Sequence, residues 1–137
     1  MTDPTTANSS NVQIKGGAIP YLSIKDGAAA IDFYKKAFDA EEAARMATPD
    51  GRLMHAHLYI NGSSVMMSDC FPEHGHPWKE PQGFNIMLAV DDAEAWARRA
   101  IEAGCTETMP VKLEFWGDHY GQVVDPFGNT WAFSSKG

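Results

Sequence analysis

The strongest constraint on the fold is an internal repeat. YLSIKDGAAAIDFYKKAFDAEE (residues 21–42) aligns without gaps on MLAVDDAEAWARRAIEAGCTET (87–108), an offset of 66 residues. Each copy reads as a strand, an acidic start, an alanine-rich helix and a small-residue stop. In the first copy Asp26 is placed to cap a helix running to about Phe38, with Ala30, Ile31, Tyr34 and Phe38 spaced to share one buried face. In the second, Asp91 or Asp92 opens a helix to about Ala103. There Ala93, Trp96, Ala97 and Ala100 form one stripe, and Gly104 stands at the usual stop position.

Three shorter β-like runs follow each helix, near 41–47, 53–60 and 64–70, then near 106–113, 119–124 and 129–134. Asp50-Gly51, Asn61-Gly62 and the stretch Pro126 to Asn129 supply the turns between them. Each copy is therefore a βαβββ module, and the fold class is α+β. Four strands and one helix cannot close a core alone, so the modules are expected to pair, forming an open, curved eight-stranded mixed sheet around a cavity. The expected organisation is one structural domain: a disordered polar tail (1–16), a first module (17–69), the linker CFPEHGHPWKEPQG (70–83) and a second module (84–137).

Composition narrows the function classes. With 11 Lys+Arg against 18 Asp+Glu, a formal charge of −7, the chain has no basic stripe for phosphates, which argues against nucleic-acid binding. No apolar run approaches the ~20 residues that span a bilayer, and the first residues lack the pattern of a secretory signal. A cytoplasmic protein with no membrane partner is the expectation. Cys70 and Cys105 follow neither metal-ligand nor redox spacing and read as reduced structural thiols.

Strand alternation assigns faces. On 53–60, Met54, Ala56, Leu58 and Ile60 form an apolar packing side, leaving Leu53, His55, His57 and Tyr59 for the cavity. On 64–69, Met66 is expected to pack, with Val65, Met67 and Asp69 facing in. Tyr21 and Ser23 face in from the first strand, and Asn85, Met87 and Ala89 from the strand opening the second module. On the closing strand Trp131 and Phe133 pack, leaving Thr130, Ala132 and Ser134.

PYLSIKDGAAAIDFYKKAF, MHAHLYINGSSVMMSD and FWGDHYGQVVDPFGNTWAF, in that order, resemble the vicinal-oxygen-chelate superfamily of glyoxalase I, bleomycin-resistance proteins and extradiol dioxygenases, and within it the PhnB-like branch. The likeness covers about residues 17–135. It implies paired βαβββ modules, a half-barrel cavity and a homodimer. Metal-using members take His, Glu or Gln ligands from the first and last strand of each module. The matching positions here are Ile19, Met67 (or Ser68 with a one-residue slip), Asn85 and Ala132, a set with no hard-ion donors beyond one amide. No cofactor is therefore expected at that place.

His55 and His57 are the sharpest chemical signal, since i and i+2 on a strand put both imidazoles on one face. Three readings stand: a hydrogen-bonded structural pair, a contact to ligand, or a relocated metal site completed by Asp69 or Glu114. The loop Glu73-His74-Gly75-His76 reads as a solvated linker able to fold over the cavity as a lid, and Trp116 as an aromatic at the cavity rim or an interface plug. No phosphate loop, nucleophile elbow or Cys-His pair is present. The leading expectation is a metal-independent protein that binds a small organic molecule, for sequestration or resistance, through Tyr21, His55, His57, Met67, Asp69 and Asn85, with Met87 and Trp116. The alternative is a metal-dependent lyase or dioxygenase using His55, His57 and Asp69.

Overall fold

The computed structural model describes residues 12–137. In chain order the elements are β1 (Tyr21–Ile24), α1 (Gly27–Phe38), β2 (Glu41–Ala47), β3 (Leu53–Ile60), β4 (Ser63–Asp69), a 3-10 turn (Pro72–His74), β5 (Ile86–Ala89), α2 (Ala93–Ala103), β6 (Thr106–Leu113), β7 (Asp118–Val124) and β8 (Thr130–Lys136). The strands form two four-stranded mixed sheets of the same topology, β1-β4-β3-β2 and β5-β8-β7-β6. In each, the first strand runs parallel to the last and the others are antiparallel. The chain divides into two compact units: residues up to Lys35 with Asp39–Lys79, and Lys36–Phe38 with Glu80–Gly137.

The repeat survives at the level of single hydrogen bonds. Asp26 accepts from the Ala29 amide at 3.1 Å and Asp92 from the Ala95 amide at 3.1 Å, each capping its helix. A second bond reaches each helix start from the end of the module's last strand. Asp69 accepts from the Gly27 amide at 2.9 Å, and Ser135, the residue 66 places later, accepts from the Ala93 amide at 3.1 Å. The stops differ: Asp39 is left-handed (φ 55), whereas the second helix uses Gly104 at φ 130.

In the first unit, Leu22, Ile24, Ala56, Leu58, Val65 and Met67 are buried together on one face of the sheet, as the registers Leu22↔Met67, Ala56↔Met67 and Leu58↔Val65 require. Asn61 and Gly62, both at positive φ, make the two-residue hairpin that the sequence signals. The tail is tied down earlier than expected. The Tyr59 hydroxyl donates to the Gln13 carbonyl at 2.5 Å, and Lys15 and Ser64 exchange two hydrogen bonds. Residues 1–11 of the tail lie outside the described residues.

In the second unit the expected alternation holds: Ile86, Leu88, Trp131 and Phe133 are buried on one face. Phe38, in the last turn of α1, lies with its ring 4.6 Å from that of Trp131. Position 121 must be glycine because an irregularity in β6 brings the chain close. An added Cβ would meet Val111 Cγ2 at 2.6 Å and the Met109 carbonyl oxygen at 2.9 Å. Both cysteines are free and buried. Burial, and then the nearby Asp125 carboxylate, push the Cys105 thiol up to about 12, which leaves it unreactive at neutral pH.

Candidate functional site

The first unit holds a cavity of about 520 Å³. Ser23 of β1, Met54 of β3 and Ser68 of β4 form its floor. Thr48 and Arg52 come from the turn between β2 and β3, and Phe71, His74 and His76 from the linker. Asp69 contributes to the wall, but its carboxylate is spent on the Gly27 and Leu53 amides, at 2.9 and 2.6 Å.

Two features of the sheet place these residues, and both differ from plain alternation. β3 bulges at Met54: His55 pairs with Met46 and Leu53 with Ala47, so Met54 is the extra residue. Leu53 therefore turns to the buried face (1% exposed), while Met54 opens to the cavity (50% exposed), the reverse of the expected assignment. On β4 the face assignment is corrected by one residue. Met67 pairs with Leu22 and Ala56 and is fully buried, so it is a core residue and not a cavity residue. Val65 follows it into the core, and Met66 and Ser68 join Tyr21 and Ser23 on the other face.

Tyr21 and His55 reach across β4 to share a hydrogen bond of 3.1 Å from the hydroxyl to Nδ1. Burial raises the Tyr21 phenol above its ordinary value, partly offset by its hydrogen bond with Ser68. His57 lies on the same face but is 1% exposed, its Nε2 sharing a 2.7 Å bond with Ser64 Oγ, which in turn accepts from the Lys15 amide at 2.8 Å. Of the readings open for the histidines, the hydrogen-bonded structural one describes His57; His55 bonds to Tyr21, and none of these three residues lines the cavity.

Both imidazoles are held below the ordinary 6.5, His55 by burial and His57 by burial and then by the positive charge His55 would carry. The unfolded chain binds these protons first, so the stability from the two neutral rings is present above about pH 6.5 and is lost as pH falls through the lower folded values. The thermal midpoint is expected to drop from about pH 7.5 to about pH 5.5 by more in the wild type than in His57→Gln, which cannot take up the proton. Equal drops would remove His57 from this account.

A family model for the Glyoxalase/Bleomycin resistance protein/Dioxygenase superfamily matches residues 18–133. The chain belongs to this superfamily. Its relatives include an uncharacterized protein of Mycobacterium bovis, 42% identical over 127 residues that cover 88% of this chain and 84% of the relative. Among solved structures, PA1353 from Pseudomonas aeruginosa superposes with a TM-score of 0.73 at 26% identity, covering 88% of this chain and 98% of that one. The PhnB protein from Bacillus cereus has a TM-score of 0.67 at 18% identity, covering 88% of this chain and 99% of that one, and a hypothetical protein from Staphylococcus aureus has a TM-score of 0.64 at 17% identity, covering 88% and 96%.

The resemblance implies metal ligands at Ile19, Met67 (or Ser68), Asn85 and Ala132; the 66-residue offset carries Ala132 onto Met66 instead, which puts another methionine in the set in place of Met67. These side chains do not fit a hard divalent ion, since only the Asn85 amide offers an oxygen. The relocated set fares no better in its geometry. Asp69 points its carboxylate at α1, on the face opposite His55 and His57. Among the described residues no three His, Cys, Asp or Glu side chains cluster as a metal site. Asn85, Met87 and Trp116 lie in the second unit, Met87 and Trp116 being 56% and 50% exposed, and none lines this cavity. The cavity residues that sequence reasoning missed are Thr48, Arg52, Met54, Ser68 and Phe71; the turn between β2 and β3, the bulge, the register of β4 and the folding of the linker bring them in.

Proposed function

We propose that this superfamily member, of the PhnB-like branch, is a small-molecule-binding protein that holds an organic ligand in the first unit without a metal. The observation that carries this reading is the cavity of about 520 Å³, within the ~300–1,000 Å³ range of ligand sites. Its wall supports the same reading: Met54 and Phe71 offer apolar surface, and the hydroxyls of Ser23, Thr48 and Ser68 offer hydrogen bonds. A neutral aromatic compound with hydroxyl or carbonyl groups suits that lining, as sequestration or resistance would require. The test is a thermal-shift screen of drug-like and metabolite compounds on chelator-dialysed protein. Compounds that raise the midpoint are expected to lose the effect in Met54→Trp, which fills the floor from an already exposed position. Hits indifferent to that substitution, or no hits at all, would sink the reading.

The working form is a homodimer in the cytoplasm. Its support is an apolar tip on the turn between β6 and β7, where Leu113, Phe115 and Trp116 are 60%, 95% and 50% exposed. Light scattering should give twice the 15.0 kDa of the chain, and Phe115→Glu with Trp116→Glu should return it to one chain mass. A wild type that runs as a single chain would overturn the dimer.

A further inference from the structure

The linker after β4 is a self-contained flap. The Phe71 amide donates to the His76 carbonyl at 2.8 Å, and the His76 amide returns the bond at 3.0 Å. The His74 and Gly75 amides donate to Phe71 and Pro72, and Gly75 takes the positive φ (81) that closes the turn. Because these main-chain bonds close within the flap, its hold on the strands falls to side chains. Arg52 supplies most of it. Its guanidinium makes two parallel bonds to Glu73, at 3.1 and 2.5 Å, a third to Asp50 at 3.1 Å, and lies 4.4 Å from the centre of the Phe71 ring. At the far end Lys25 sits 4.0 Å over the Trp78 ring, whose indole N–H is buried with no hydrogen-bond partner among the described residues. An unpaired buried donor makes the closed position less favourable than a fully satisfied one.

We propose that residues 71–78 are a hinged lid over the first-unit cavity and that Arg52 is the clamp that sets how often it opens. The proposal rests on the reading of that cavity as a ligand site, but its test needs no ligand. Phe71, His74 and His76 wall the cavity from the lid side, and Ser23, Met54 and Ser68 from the sheet side, so lifting the lid widens the entrance without disturbing a strand. Glu73 is pushed down to about 2, chiefly by its hydrogen bonds from Arg52, so the clamp stays ionised across the neutral range. Ionic strength, not pH, is its natural lever.

The experiment reads access to the floor. A Ser68→Cys thiol is labelled with dithiobis(nitrobenzoate), the rate in the parent chain being subtracted, and is compared with the same protein carrying Arg52→Ala or Glu73→Gln. Both substitutions are expected to speed labelling about two- to fivefold, in keeping with the modest hold of an exposed ion pair. The reagent is an anion, so electrostatics alone would slow labelling in Arg52→Ala and speed it in Glu73→Gln. Acceleration in both supports the lid, and an unchanged or slower rate in either overturns it. An empty compound screen with both rates raised would reject the ligand reading and leave the lid standing.

Discussion

Asp125→Ala is expected to destabilise the protein by about 3–5 kcal/mol, the range for stranding the partners of a buried carboxylate. Asp125 is 4% exposed, and its two oxygens serve three donors: Oδ1 accepts from the Phe127 and Asn129 amides at 2.9 and 3.0 Å, and Oδ2 from the Trp131 indole at 2.9 Å. The first two bonds shape the Asp-Pro-Phe-Gly-Asn turn between β7 and β8. The third satisfies the only polar atom on the side chain of Trp131, which is fully buried and meets the Phe38 ring at a tilt of 47°. Removing the carboxylate thus loosens a turn and leaves an indole N–H without this acceptor in the core. Asp125→Asn keeps an acceptor for the turn but turns an amide N–H toward the indole or forfeits one bond, so it should recover only part of the loss. Urea unfolding with an unchanged m-value measures both. In a Trp131→Phe background the Asp125→Ala loss should shrink; an undiminished loss would show that the indole bond contributes nothing.

The second large effect is Asp69→Ala, expected at about 2–4 kcal/mol, because two buried amides, those of Gly27 and Leu53, lose their acceptor. The comparison with Ser135→Ala sharpens it. Ser135 does the same service for one amide, Ala93, with a neutral hydroxyl, so its loss should be nearer about 1 kcal/mol. Chemical denaturation of the two variants side by side gives the ratio. If Asp69 were instead a ligand or metal contact, Asp69→Ala would keep its unfolding midpoint, and a midpoint within error of wild type would refute the structural role.

The scaffold was readable from the sequence because its signals are local and redundant. The caps Asp26 and Asp92, the Asn61-Gly62 hairpin and the stripe Ala30, Ile31, Tyr34, Phe38 each follow from a few neighbouring residues, and each is found in place. The floor of the cavity was less legible, for two physical reasons. In β4 the run Val65-Met66-Met67 is apolar at every position, so hydrophobicity could not say which residue faces the core. The repeat could have decided it, since the 66-residue offset carries Ala132 onto Met66 and Phe133 onto Met67. In β3 the bulge at Met54 inverts only the start of the strand and has no glycine or proline to announce it. His55 kept its expected face. Asp69 was drawn toward chemistry by its charge, when the amide it caps lies 42 residues earlier in the chain.

The matched bonds Asp69 to Gly27 and Ser135 to Ala93 hold the two halves of the chain to one blueprint, yet the surfaces they support have parted. Where the first half displays Tyr21, Ser23 and Met66, the second displays Met87 and Ala89, with the buried Ala132 in the place of Met66. Framework and recognition are thus written in separate residues, alternating along the same strands. That separation makes the second half a blank copy for engineering: Met87→Tyr and Ala89→Ser would install the first half's hydroxyls on exposed positions without touching the bonds that seat its helix.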